Sequence, residues 1–179
     1  MKPSFRFVSL LAIVLLACTS CARKVSESKA SLPPLIRVDT TSQRYNLQFD
    51  FMKHHFSGLF IVRRLPNDEI RMLASTYFGL SLFDFSLHNE AFVVNSCIEP
   101  MRNEKILRLL EADFKNLFLA QNSVRTVQQR PGFEKRIDGR GFGKSLLYLS
   151  TQGAQPAQHI EIRHPWLRLK IQLDALPPR

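Results

Sequence analysis

The stretch Arg44-Tyr45-Asn46-Leu47-Gln48-Phe49-Asp50-Phe51 alternates apolar and polar residues without a break. That period of two is the pattern of a half-buried strand, with Tyr45, Leu47, Phe49 and Phe51 on one face. Reading onward, residues 56–64 form a second strand, with Phe56, Phe60 and Val62 on one face and Leu59 and Ile61 on the other. Ser57-Gly58 lies near its start, where a glycine marks a bulge or a close approach of backbone. Pro66-Asn67-Asp68 makes a turn. Strands are then expected over 70–77, over 80–87 after Gly79, and over 91–98 after His88-Asn89-Glu90. Their short connections favour an antiparallel meander.

The period changes once. Ile106, Leu107, Leu110, Phe114, Leu117 and Phe118 recur at helical spacing behind Pro100, with Asn103 as N-cap. Beyond this amphipathic helix, residues 144–151, 158–164 and 166–173 again read as strands. About eight strands and one helix make a mainly β (α+β) fold, a curved antiparallel sheet or half-open β-barrel with the helix packed on the concave side.

Reading backward from Arg44, residues 19–43 are rich in Ser, Thr, Lys and Pro, and Pro33-Pro34 opposes both helix and inner strand. This predicts a flexible tether. At the N-terminus, Lys2 and Arg6 precede an apolar run over 7–17 broken only by Ser9, the layout of a signal peptide. The run is about half the roughly 20 residues that a spanning helix needs. It closes in Leu15-Leu16-Ala17-Cys18, which resembles the lipobox of bacterial lipoproteins. The resemblance implies cleavage after Ala17 and lipidation of Cys18. Cys21 after Ser20 is the alternative anchor, but Cys18 then stands where Leu is preferred; an ordinary secretory cut near Ala22 is the other reading. The division expected is 1–17 signal peptide, 18–43 lipidated Cys18 and tether, and 44–179 a single β-rich domain. With Thr19 behind the anchor, similarity to enteric-type sorting implies the outer membrane, periplasmic side.

Of 179 residues, 25 are Lys or Arg and 15 Asp or Glu, a net charge of +10. Such a surface suits anionic lipid headgroups or nucleic acid alike. Export decides against nucleic acid. Three cysteines, one in the lipobox, do not build a disulfide framework, and Cys97 in an apolar run reads as a small core residue.

No catalytic constellation emerges, and no cofactor is implied. Gly143-Lys144-Ser145 imitates the end of a phosphate-binding loop, but Asp138 replaces the required first glycine and residues 146–151 read as strand, so a Gly-rich hairpin is expected. His54 and His55 are adjacent and point to opposite faces of a strand; His88, His159 and His164 lack partners at ligand spacing. The carboxylates Asp84, Glu99 and Asp113 cannot be paired by spacing alone.

The segment Phe56-Ser57-Gly58-Leu59-Phe60, then Gly79-Leu80-Ser81-Leu82-Phe83-Asp84-Phe85, then Phe92-Val93-Val94 and the helix resembles the LolB-type outer-membrane lipoprotein receptors and their LolA-like carrier relatives over about 60 residues. After the helix, residues 123–130 lack that family's continuation. The resemblance implies a half-open barrel whose apolar cavity accepts the acyl chains of a lipoprotein client. The fourteen Phe of the chain suit such a lining, although aromatic stripes are more often plain core. Candidate cavity residues are Leu47, Phe49, Phe51, Phe56, Phe60, Val62, Leu110 and Phe114. Candidate membrane contacts are Arg63, Arg64 and Leu65, a leucine beside a proline at a turn with cations flanking it. The expected partners are membrane lipids and an acyl chain or lipoprotein client. A structural or assembly lipoprotein that binds another envelope protein is the alternative.

Overall fold

The computed structural model describes residues 32–120, 126–151 and 158–177. The expected signal peptide, with Cys18 and Cys21, lies outside them. The described residues form one ten-stranded antiparallel sheet: β1 (Gln43–Phe51), β2 (His54–Arg64), β3 (Ile70–Thr76), β4 (Ser81–His88), β5 (Ala91–Cys97), β6 (Thr126–Arg130), β7 (Phe133–Asp138), β8 (Ser145–Ser150), β9 (His159–His164) and β10 (Leu169–Ala175). The one α-helix among the described residues, α1 (Glu104–Phe118), joins β5 to the second half. The order is β5-β4-β3-β2-β1-β10-β9-β8-β7-β6, so the sheet runs as one meander on each side of the β1–β10 pair and does not close.

Alternation places the core. In β1, Tyr45, Leu47, Phe49 and Phe51 are buried while Asn46 and Gln48 are exposed. Register continues that layer: Phe49 faces Phe56 of β2 and Ile171 of β10, and Tyr45 faces Phe60. The helix closes the concave side. Asn103 caps it by accepting from the Lys105 N–H at 2.9 Å, and Ile106, Leu110, Phe114, Leu117 and Phe118 form its buried stripe. One cluster of buried side chains spans sheet and helix.

Gly58 is a close approach. A Cβ there would lie 1.9 Å from the Ser75 carbonyl oxygen and 2.7 Å from the Thr76 Cα, beside the register shift at Ala74/Ser75. Because both obstacles are backbone, Gly58→Ala is expected to force β2 and β3 apart and destabilise by about 1–3 kcal/mol. Urea titration should show a lower midpoint with an unchanged slope.

Three expectations need correction. Ten strands form rather than about eight, because β6 and β7 are spelled TVQQR and FEKRID and carry too few apolar residues to register as strands. The last strand begins at Leu169 and not at residue 166: Pro165-Trp166-Leu167-Arg168 is a turn, with Arg168 at φ +48°. Lastly, residues 32–43 belong to the domain. Ile36 and Val38 are buried in the core, the Ile36 N–H donates to the Leu117 carbonyl at 2.9 Å, and the Arg136 guanidinium donates to the Pro33 carbonyl at 2.9 Å. Two prolines and alternating apolar residues make this an extended strap that packs.

Candidate functional site

Six phenylalanines fill the seam between α1 and the sheet. Phe60 of β2 stacks on Phe114 and Phe118 of the helix at 6.1 and 6.5 Å between ring centroids. Phe83 and Phe85 of β4 stack at 4.5 Å and both meet Phe114, which also lies 6.4 Å from Phe92 of β5. Phenylalanine at these positions lets side chains span the distance between a helix axis and a sheet, and ring contacts of this kind contribute about 0.5–1.5 kcal/mol each beyond burial.

The candidate cavity residues meet here, but packed. Leu47, Phe49, Phe51, Phe60, Val62, Leu110 and Phe114 are 0–3% exposed, and Phe56 is partly buried against them. Side chains with so little accessible surface have protein atoms on every side, so these residues line a filled seam and not an open cavity. Room exists elsewhere. An open cleft of about 550 Å³ lies between the strap and the end of β10, lined by Leu35, Ile36, Tyr45 and Leu176 and flanked by Arg37 and Arg44. Burial pushes the Tyr45 phenol up to about 12, so it stays protonated and donates to the Gln43 side-chain oxygen at 3.2 Å.

On its other flank α1 is tied by polar side chains. Asp113, fully buried, accepts from the Ser145 hydroxyl of β8 at 2.7 Å and pairs with His164 Nε2 of β9 at 2.6 Å. One helical turn on, Asn116 donates to Asp138 at 2.8 Å. Burial pulls the His164 pKa down, but the hydrogen bond and charge of Asp113 outweigh it, leaving the imidazole above its ordinary value. Spacing gave no hint of this cluster, since Asp113, Ser145 and His164 come from three distant elements. It is not a catalytic triad: the serine bonds the carboxylate instead of the imidazole, and no substrate reaches side chains 0–3% exposed.

The other candidate motifs dissolve into structure. Gly141–Gly143 is a short 3-10 turn, a Cβ on Gly139 would lie 2.1 Å from the Gly143 carbonyl oxygen, and Ser145 opens a strand, so no helix N-terminus is presented to a phosphate. His55 pairs with Asp50, and His159 with Asp174 at 2.6 Å. Among the described residues no three His, Cys, Asp or Glu side chains are placed to hold a metal. Cys97 is half-buried at the end of β5, and burial pushes its thiol pKa up.

The hairpin at Arg63, Arg64 and Leu65 does not offer an apolar tip. Leu65 is half-buried and its N–H donates to the Glu69 carbonyl at 2.7 Å, while the Arg64 guanidinium donates to the Val38 carbonyl and to Asp68, both at 3.3 Å. The strap and the acidic turn engage Arg64, while Arg63 is exposed. Comparison with protein-family models and with curated sequences found no match to this chain, so the site's geometry carries the functional argument.

Proposed function

We propose that the chain is a non-catalytic envelope lipoprotein, anchored through Cys18 on the periplasmic side of the outer membrane, that takes up an acyl chain of a lipid or lipoprotein client between α1 and the sheet. The supporting observation is how the seam is held. Its β2–β5 side is closed by phenylalanine rings and its β7–β9 side by Asp113 and Asn116. Swinging α1 about the polar flank exposes apolar surface without breaking a strand pair. About ten methylenes of an acyl chain contribute roughly 8 kcal/mol on burial, the same order as the ring contacts given up.

The anchor is tested by labelling cells with a fatty acid: Cys18→Ala should lose the label and Cys21→Ala should keep it, and the reverse pattern would move the anchor to Cys21. The ligand is tested by mass spectrometry of lipid extracted with the purified protein, where a stoichiometric acyl species beyond the anchor's own is expected. The filled seam favours a second reading, an assembly lipoprotein that binds an envelope protein at the free edge of β5, where Val93 and Val94 are exposed. Lipid-free protein that crosslinks to an envelope protein through β5 would establish that reading in place of the first.

A further inference from the structure

In a strictly antiparallel meander, successive turns alternate between the two ends of the sheet. The β1–β2, β3–β4, β9–β10 and β7–β8 turns therefore share one end, and they are consecutive along the order β4-β3-β2-β1-β10-β9-β8-β7. Strand spacing sets the arc from first to last turn at about 30 Å. The Met52 N–H donates to the Arg168 carbonyl at 3.2 Å, and the rings of Phe142 and Trp166 lie 5.8 Å apart, so neighbouring turns touch.

Every large apolar side chain that is more than half exposed among the described residues sits on these four turns: Phe78 at 100%, Phe142 at 73%, Trp166 at 66%, Met52 at 65%, with Tyr77 and Leu80 beside Phe78. The same turns carry Lys53, Arg140, Lys144 and Arg168 and no carboxylate. Nearby acids are engaged: Asp50 by His55, Asp138 by Asn116 and the Gly139 N–H, and Glu99 by Arg102 in the connection that follows β5. The opposite end differs. Among the described residues its turns hold Asp68, Glu69 and Glu90 and no large apolar side chain more than half exposed, and its cations Arg63, Arg64 and Arg130 stand on the strand ends beside them.

Turn chemistry adds an independent observation. Two-residue hairpin turns favour Asn or Gly because the backbone enters the left-handed region. Here Met52 adopts φ +55° in the Met52-Lys53 turn, and Arg168 adopts φ +48°. Glu90 does the same at φ +65° at the opposite end, so the rim's share is that its two violations hold an apolar and a cationic side chain outward.

We propose that this end of the sheet is a docking rim for an anionic lipid bilayer: Phe78, Met52, Trp166 and Phe142 enter the acyl boundary while Lys53, Arg140, Lys144 and Arg168 meet headgroup phosphates. Aromatic tips beside cations on turns that hold no carboxylate match the interface in both polarity and charge. The rim lies at the end of the sheet opposite the Arg63–Leu65 hairpin and takes its place as the membrane contact. It rests on the reading that the chain faces a membrane, but not on which cysteine anchors it.

The chain carries one tryptophan, so Trp166 reports on the rim by itself. The full lipidated protein is placed in vesicles of phosphatidylcholine alone or mixed with phosphatidylglycerol, and flotation scores the anchor separately. In the anionic vesicles Trp166 emission should shift to the blue, be quenched by lipids brominated on their chains and be shielded from acrylamide. Lys53→Glu with Arg140→Glu, both exposed and outside the core, should lower the ratio of docked to free rim by at least about fivefold per charge. A Cys18→Ala chain that floats with and shows the same shift on anionic vesicles, but not on phosphatidylcholine alone, would support the rim without the anchor. Floated protein whose Trp166 stays open to acrylamide in both vesicles, a shift indifferent to the charge reversals, or shielding that appears only at high protein density would overturn the proposal, the last by pointing to a second copy of the chain.

Discussion

Asp113→Ala is expected to lower the unfolding free energy by about 3–5 kcal/mol, the range for removing one partner of a buried ion pair. Asp113 is fully buried, and its loss leaves the Ser145 hydroxyl and the His164 ring without their acceptor in the core. The pH dependence should change as well. In the intact protein the His164 pKa is raised above the ordinary 6.5, so its contribution is complete below that value and declines as pH rises through the folded-state pKa. Without Asp113, burial, the largest cause, is opposed only by the Lys144 backbone hydrogen bond and depresses the pKa, so the variant should instead gain stability as pH rises through about 6.5. Thermal melts of both proteins across neutral pH read the two slopes. Parallel slopes would show that the pair does not titrate as the geometry requires.

Phe114→Ala is expected to destabilise by about 3–5 kcal/mol, because its ring is the common neighbour of Phe60, Phe83, Phe85, Phe92 and Phe118 and leaves a cavity when removed. The variant also separates the two functional readings. If the seam is where an acyl chain lies, palmitate should fill the space left by the ring and raise the melting temperature of Phe114→Ala more than that of the unaltered protein. A plain core offers no such rescue. Phe60→Glu, the obvious way to block an acyl site, buries an unpaired carboxylate at a position that is 0% exposed and reports on folding rather than on binding.

Much of this fold was legible because its strands are half-buried. β1 to β3 alternate sharply and β4 and β5 are bounded by the turns at Gly79 and His88-Asn89-Glu90, so all five are placed within two residues, and Asn103 with the Ile106, Leu110, Phe114 stripe located the helix. β6 and β7 escaped because their polar spelling, with Arg136 buried on hydrogen bonds rather than on apolar packing, hides the alternation. The strap was misjudged for the opposite reason: Pro33-Pro34 and its Ser/Thr surroundings suggest a tether, yet Ile36 and Val38 contribute core side chains. Apolar pattern locates a core but cannot tell a filled seam from a cavity, since Phe60 and Phe114 read the same either way. The rim was hidden in plain view. Phe78, Phe142 and Trp166 stand in turns where no core explains them, but only the strand order shows that their turns share one end.

The most direct test of the acyl-binding reading is photocrosslinking of the purified protein with a fatty acid that carries a diazirine at the end of its chain, followed by peptide mapping. An acyl chain held between helix and sheet predicts adducts on Phe60, Phe83, Leu110 and Phe114, competed away by unlabelled palmitate. Adducts confined to the cleft at Tyr45 and Leu176, or to Phe78 and Trp166 on the rim, or none that palmitate displaces, would contradict it.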